Sequence, residues 1–263
     1  MVVLRKDSRF FIENGISLPI GDFPFRYYKY ASIYEVIKYD GRFHFLEKHL
    51  QRLEKSVFIA FPSRDYKGDI NKEMLEKLVF DNKIKEGNIR IEVFPELKTT
   101  LAFLVPHFYP PPEYYEKGVE AVFQYDQRPV LNAKVYNAEI RERANSLIKE
   151  YDVFETVLVN MKGEMTEGSR SNIFLIKNGE VFTPPDRFVL PGITRDNMAE
   201  FLKSKGIPLN YKNIKAKDAG DYEAFFFTGT SIGALPCRKL DKFHFDVKHP
   251  LLRRIIEGFA VVV

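Results

Sequence analysis

Three consecutive prolines, Pro110 to Pro112, interrupt the chain between Tyr109 and Glu113. A proline ring locks φ and removes an amide donor, so the run fits neither a helix interior nor a central strand. It reads either as a long loop or as a linker. We take it as a linker, with a small α+β domain expected over residues 1–112 and a larger α/β domain over 113–263. The length of 263 residues allows one domain or two and is enough to bury a core without covalent staples. Cys237 is the single cysteine and cannot form an intramolecular bridge, which excludes a disulfide-framework secreted fold and suits a reducing compartment.

The remaining composition narrows the classes further. Lys and Arg number 40 against 36 Asp and Glu, a net +4 too weak to imply a nucleic-acid partner. No run approaches the ~18 apolar residues of a transmembrane helix, and no charged segment followed by a long apolar stretch opens the chain. A cytoplasmic protein with no membrane partner is therefore expected. Tryptophan is absent while Phe numbers 24 and Tyr 14, so aromatic rings are expected to fill much of the core.

Periodicity predicts the elements. Ala31 to Tyr39 reads as a β-branched and aromatic strand, Asp40-Gly41 as a hairpin turn, and Arg42 to Phe45 as the return. Leu46, Leu50, Leu53 and Val57 mark one helix face, and a second helix is expected around Asn71 to Phe80. Strands follow near Asn88 to Phe94 and Leu101 to Phe108. In the second half, strands are expected at Val119 to Tyr125, Phe154 to Val159 and Ser171 to Ile176, the last returning after a turn at Met161 to Glu164. Val181 to Thr183 and Ala224 to Thr228 read as further short strands. Helices are expected through Ile140 to Tyr151, from Thr194 to Lys205 before Gly206, and over Leu251 to Glu257 after Pro250.

No metal-ligand spacing joins His44, His49, His107, His244, His249 and Cys237, so no metal is expected and the histidines read as satisfied or surface groups. Nucleophile-elbow, Walker and dinucleotide-binding glycine motifs are absent. Two segments have the composition of anion sites. In Leu190-Pro-Gly-Ile-Thr-Arg-Asp196, a tight turn precedes a helix whose first amides lack intrahelical partners, and Thr194 can cap it. In Thr228-Gly-Thr-Ser-Ile-Gly233, small residues let backbone amides approach an anion. Each reads equally as an ordinary capped helix or a plain turn. Met165-Thr-Glu-Gly-Ser-Arg-Ser-Asn172, ahead of both segments, reads as a polar hairpin.

Read in order, Tyr34-Glu-Val-Ile-Lys, His49-Leu-Gln-Arg-Leu53, Asn88-Ile-Arg90, Asn132-Ala-Lys134, Thr166-Glu-Gly-Ser-Arg-Ser-Asn-Ile-Phe174, Thr183-Pro, Leu190-Pro-Gly-Ile-Thr-Arg195 and Thr228-Gly-Thr-Ser231 resemble the class IV aminotransferases. These are pyridoxal-phosphate enzymes of fold type IV, and they include branched-chain and D-amino-acid aminotransferases and aminodeoxychorismate lyase. The resemblance runs from about Tyr34 to Pro236. It implies a two-domain α+β fold with mixed and antiparallel sheets and flanking helices, and pyridoxal 5'-phosphate as cofactor. It further implies an enzyme of amino-acid metabolism that moves an amino group between an amino acid and a 2-oxo acid, and a homodimer.

Residue roles follow from the match. Lys134 would hold the cofactor aldehyde as a Schiff base and afterwards move the proton. Glu167 would face the pyridine nitrogen. Arg52, the amides and hydroxyl of Ile193 and Thr194, and the Thr230 hydroxyl would hold the phosphate. Tyr34, Arg90 and Ser231 would meet the substrate. Departures from the family pattern are also visible. Asn88 stands where branched-chain enzymes carry tyrosine, Tyr136-Asn137 reverses their Asn-Tyr pair, and no Arg-x-His pair of the D-amino-acid enzymes is present. Val36 stands where the lyase usually has a hydroxyl residue, so the lyase is the alternative activity. A cofactor-binding relative without catalysis would require loss of Lys134 or Glu167, and both are present.

Overall fold

The computed structural model describes residues 2–63 and 70–260. The chain forms two compact units, one of Met1–Phe108 with Ala133–Tyr136, the other of Tyr109–Asn132 with Asn137–Val263.

The first unit is built on strands β1 (Phe10–Glu13), β2 (Ile16–Pro19) and β3 (Ile33–Tyr39), helices α1 (Leu46–Ala60) and α2 (Lys72–Asn82), and strands β4 (Gly87–Phe94) and β5 (Thr99–Val105). Its strands pair antiparallel in the order β2-β1-β5-β4-β3. The β1–β2 hairpin turns through Asn14 and Gly15, both at positive φ, a turn whose twist matches the strands it joins. Strand alternation assigns the faces. Ile33, Ile37, Ile89, Ile91 and Val93 pack with Leu46, Leu53 and Val57 of α1, the stripe the heptad-like spacing predicts. Phe11, Phe94, Leu101 and Phe103 close a second cluster around Phe23, whose ring meets Phe103 edge-on at 4.9 Å. Asn82, at the end of α2, accepts from the amides of Arg9 and Phe10 and donates to the Phe10 carbonyl, tying helix to sheet without an orphaned polar group.

One expected strand is not formed. After Asp40-Gly41 the return at Arg42 to Phe45 makes only an isolated bridge, Tyr39 with Phe43. Phe45 turns left-handed at φ 52° and starts α1, so the helix takes the residues that would have extended the hairpin.

The second unit contains α3 (Pro112–Lys117), β6 (Val119–Tyr125), α4 (Ala138–Tyr151), β7 (Glu155–Val159), β8 (Glu164–Gly168), β9 (Asn172–Lys177), β10 (Glu180–Thr183), α5 (Ile193–Ser204), β11 (Leu209–Tyr211), β12 (Ile214–Lys215), β13 (Ala224–Gly229), β14 (Gly233–Leu240), β15 (Phe243–His244) and α6 (Pro250–Phe259). Among the described residues these strands form one mixed sheet, β11-β10-β9-β13-β14-β6-β7-β8-β12, with β15 on β14. The parallel pairs are β10–β11, β14–β6 and β6–β7. The proline run ends by starting a helix: Pro112 is the first residue of α3, where a missing amide costs nothing.

The partner of β7 also differs from expectation. It pairs with β8, the Glu164–Gly168 strand, while Asn172–Lys177 lies between β10 and β13. On β13, Phe225 and Phe227 enter one cluster with Val157, Leu175 and Cys237. Phe226 points the other way, stacking on Phe174 at 5.1 Å beneath α5 and α6. Burial pushes the Cys237 thiol well above its ordinary range, which suits a core residue and not a nucleophile. Among the described residues, no helix is long and apolar enough to cross a membrane.

Candidate active site

In the first unit, Lys134 lies on the short segment Ala133–Tyr136, which runs beside β3. Val135 bridges Ile33, the Tyr34 amide donates to the Lys134 carbonyl at 3.1 Å, and the Tyr136 amide donates to the Ser32 carbonyl at 3.0 Å. From the other side the Lys134 amide donates to the Ser56 hydroxyl of α1 at 3.2 Å. The backbone carrying the lysine is thus held to strand and helix. Lys134 is half-buried, and its Nζ lies 5.3 Å from the centre of the Tyr34 ring. The setting of Lys134 is aromatic and ionic, because the Glu35 carboxylate is among its electrostatic partners.

Arg52 is buried, not on a solvated helix face. Its Nε and Nη2 grip Glu35 Oε1 and Oε2, each at 2.6 Å, and His49 Nδ1 meets Oε2 at 2.8 Å. Burial alone would raise the Glu35 carboxyl, but Arg52 first and Lys134 second hold it well below the usual carboxylate range. Glu35 therefore keeps its charge and fixes the plane of the guanidinium. His49 is also buried, which lowers its pKa, and its Nε2 has no partner among the described residues. Neither Glu35 nor His49 was assigned a role from the sequence, although both stand inside matched motifs.

On the opposite face of the same sheet, Arg90 forks onto Glu92, with Nε to Oε2 and Nη2 to Oε1 both at 2.8 Å. Its guanidinium carbon lies 4.1 Å from the centre of the Tyr34 ring and 4.9 Å from that of Tyr136. The arginine expected to meet substrate thus has one whole edge committed to a neighbouring carboxylate.

In the second unit, Glu167 on β8 is buried, with Oε1 2.7 Å from Arg128 Nε and Oε2 accepting from the Leu190 amide at 3.2 Å. The Leu190 carbonyl accepts from Asn172 Nδ2 at 3.2 Å. The backbone three residues ahead of α5 is therefore clamped on both sides. Thr194 does not cap that helix. It is the second helical residue, and the capping position is Gly192, which supplies no side-chain acceptor. Ile193 and Thr194 are buried there, so a helix N-terminus rich in amide donors sits inside the protein with no side-chain cap. A Cβ on Gly192 would fall 1.9 Å from Asn172 Oδ1, so only glycine fits this cradle without movement. Thr230 and Ser231 lie half-buried in the turn between β13 and β14, and the Thr228 hydroxyl just before them is buried without a partner among the described residues. Arg128 lies outside every motif of the sequence, whereas Thr228 heads the glycine-rich segment with the composition of an anion site.

In the first unit the amine of a lysine held by backbone bonds suits an aldehyde; in the second a buried carboxylate suits a pyridine nitrogen and an uncapped helix end suits a phosphate, so the residues of each unit have the chemistry that pyridoxal phosphate requires. The family description "amino-transferase class IV" matches residues 32–240. The chain belongs to this family. Class IV aminotransferases similar to it include a probable branched-chain-amino-acid aminotransferase of Thermotoga maritima, 28% identical over 241 residues, covering 89% of this chain and 86% of the relative. A D-alanine aminotransferase of Listeria monocytogenes is 25% identical over 225 residues, covering 80% and 78%. The crystal structure of a Thermotoga maritima protein described as a putative branched-chain amino acid aminotransferase superposes with a TM-score of 0.80 at 26% identity, covering 95% of this chain and 94% of that one. The chain is thus an enzyme of the transferase type with the fold type IV architecture.

Proposed function

We propose that the protein is a pyridoxal-phosphate aminotransferase acting between an amino acid and a 2-oxo acid, with Lys134 as its reacting lysine. The observation that carries this reading is the anchoring of Lys134. Both its amide and its carbonyl are bonded, to Ser56 and to Tyr34, so the amine is presented from a fixed backbone. When bound, pyridoxal phosphate supplies an aldehyde and an electron-withdrawing ring.

The chain's own groups do the rest. The Lys134 amine would hold the cofactor aldehyde and, once freed by substrate, would carry the proton from the substrate Cα to the carbon that bore the aldehyde. The Glu167 carboxylate, oriented by Arg128 and the Leu190 amide, keeps a proton on the pyridine nitrogen by charge pairing. The amides and hydroxyl of Ile193 and Thr194, the Thr230 hydroxyl and the Arg52 guanidinium hold phosphate. Tyr34 lines the substrate side, and the Ser231 turn supplies donors to the substrate carboxylate. The working form is a homodimer in the cytoplasm.

The test is spectroscopic. Wild-type protein loaded with pyridoxal phosphate is expected to show the visible band of a lysine–pyridoxal linkage, discharged by borohydride and missing in Lys134→Ala. It is then expected to shift with amino acids and to recover with 2-oxo acids. A protein with no band at saturating cofactor overturns the reading. Release of 4-aminobenzoate from aminodeoxychorismate without transamination would replace it by the lyase.

A further inference from the structure

None of the roles above uses Asn132, the last residue of the second unit before the chain leaves for Ala133–Tyr136. With its carboxamide nitrogen turned toward the turn over Asp186 to Val189, Asn132 donates to the Asp186 carbonyl at 3.0 Å and to the Val189 carbonyl at 3.2 Å. The opposite orientation would set the carboxamide oxygen against these carbonyl oxygens, which have no proton to offer it. The turn itself is fixed from α5. Arg195 Nη2 lies 2.8 Å from Asp186 Oδ1 and donates to the Pro184 carbonyl at 2.9 Å.

The Val189 carbonyl and the Leu190 amide belong to one peptide group. A trans peptide is planar and points its oxygen and its hydrogen to opposite sides. On the oxygen side stands Asn132. On the hydrogen side stands Glu167, whose Oε2 accepts from the Leu190 amide at 3.2 Å. The next carbonyl, that of Leu190, accepts from Asn172 Nδ2, and Pro191 beyond it brings no amide. Val189 and Leu190 are both buried, so their backbone groups depend on such partners. One peptide plane therefore joins Asn132 to the carboxylate assigned to the pyridine nitrogen.

Asn132 acts on Glu167 through this peptide in two ways. A donor on the carbonyl polarises the peptide and leaves its N–H a stronger donor, an effect on the order of 10–30% per bond. The same donor fixes the plane, and with it the line along which the N–H meets Oε2. Arg128 pulls on Oε1 from 2.7 Å, but a long side chain follows a carboxylate as it rotates, whereas a peptide held on both edges does not. Without Asn132 the carboxylate is drawn round toward Arg128, and its charge leaves the direction the peptide had set.

We propose that Asn132 is a positioning residue for Glu167: acting through the Val189–Leu190 peptide, it fixes the direction in which that carboxylate presents its charge to the cofactor's ring nitrogen. The step to the cofactor rests on the aminotransferase reading; the hold on peptide and carboxylate does not.

The test uses Asn132→Ala and Asn132→Asp, which both remove the donor. Asn132 is exposed, so neither change opens a core cavity. In cofactor-free protein, hydrogen exchange of the Leu190 amide is expected to speed up about tenfold in both variants, the worth of one hydrogen bond. The Phe226 amide, on β13 between β9 and β14, is expected to keep its wild-type rate. The carboxyl carbon resonance of Glu167 is expected to shift in the same two variants. In protein loaded with pyridoxal phosphate carrying a nitrogen-15 ring, the ring resonance is expected to move toward its unprotonated position. Wild-type exchange at Leu190, equal speeding at Leu190 and Phe226, or an unmoved Glu167 resonance overturns the proposal. So does a wild-type ring resonance in variants that bind the cofactor. If the wild type binds no pyridoxal phosphate, the aminotransferase reading fails, and the cofactor-free measurements decide whether Asn132 positions Glu167.

Discussion

Two buried glutamates on neighbouring strands each hold an arginine by a fork, yet they do different work. Glu35 faces α1 and gathers Arg52 and His49, while Glu92 faces the other way and gathers Arg90, Tyr28 and Ser32. Removing one partner of such a pair leaves a buried charge uncompensated, so Glu35→Gln is expected to lower the unfolding free energy by about 3 kcal/mol in urea titrations. The sign of its pH dependence is fixed. Because the folded pKa of Glu35 lies below its unfolded value, its contribution is complete above the ordinary carboxylate range and is lost as pH falls toward the folded value. Wild type is therefore expected to lose more stability than Glu35→Gln between about pH 5 and pH 2, and parallel acid limbs for the two proteins would refute the assignment. Motif order marks Lys134, Arg52 and Glu167 as candidates in the sequence. The roles of Glu35 and Glu92 are not legible there, since alternation tells which face a strand residue occupies but not which arginine from another element shares it.

Elements whose apolar period runs unbroken were readable close to their true bounds. The expected strand at Val119 to Tyr125 matches β6, and the stripe from Leu46 to Val57 lies within α1. The errors sit where local chemistry competes. Asn14-Gly15 is a strong hairpin signal, but the strands around it are only four residues each and their pattern is short. β8 reads Glu-Met-Thr-Glu-Gly, polar enough to pass for a loop, although every residue in it is buried. At the start of α5 the glycine cradle was visible as a turn, but the clamp on Leu190 was not, because Glu167 and Asn172 reach it from two different strands. Gly192→Ala is expected to push Asn172 off the Leu190 carbonyl, costing about 1–3 kcal/mol in chemical denaturation. It should also weaken pyridoxal phosphate binding about tenfold in spectral titrations, since the helix end turns with its first residue. A variant with wild-type stability and cofactor affinity would show that the cradle yields cheaply and sets neither.

For the whole molecule, light scattering at micromolar concentration is expected to give twice the 30.7 kDa chain mass. Phe58 and Phe80 in the first unit are 72% and 81% exposed, apolar surface that a second copy would cover. A mass of one chain at that concentration would refute the dimer. The two units are not consecutive stretches of sequence: the chain leaves the first at Phe108, comes back for Ala133–Tyr136, and leaves again. A proline run can announce a change of unit, but a four-residue return carries no composition of its own to announce it. That return has a consequence for birth order on the ribosome. The sheet and both helices of the first unit emerge well before the segment that carries Lys134, so the nascent unit must wait, with Ser56 and the edge of β3 still uncovered, for its own lysine to be translated.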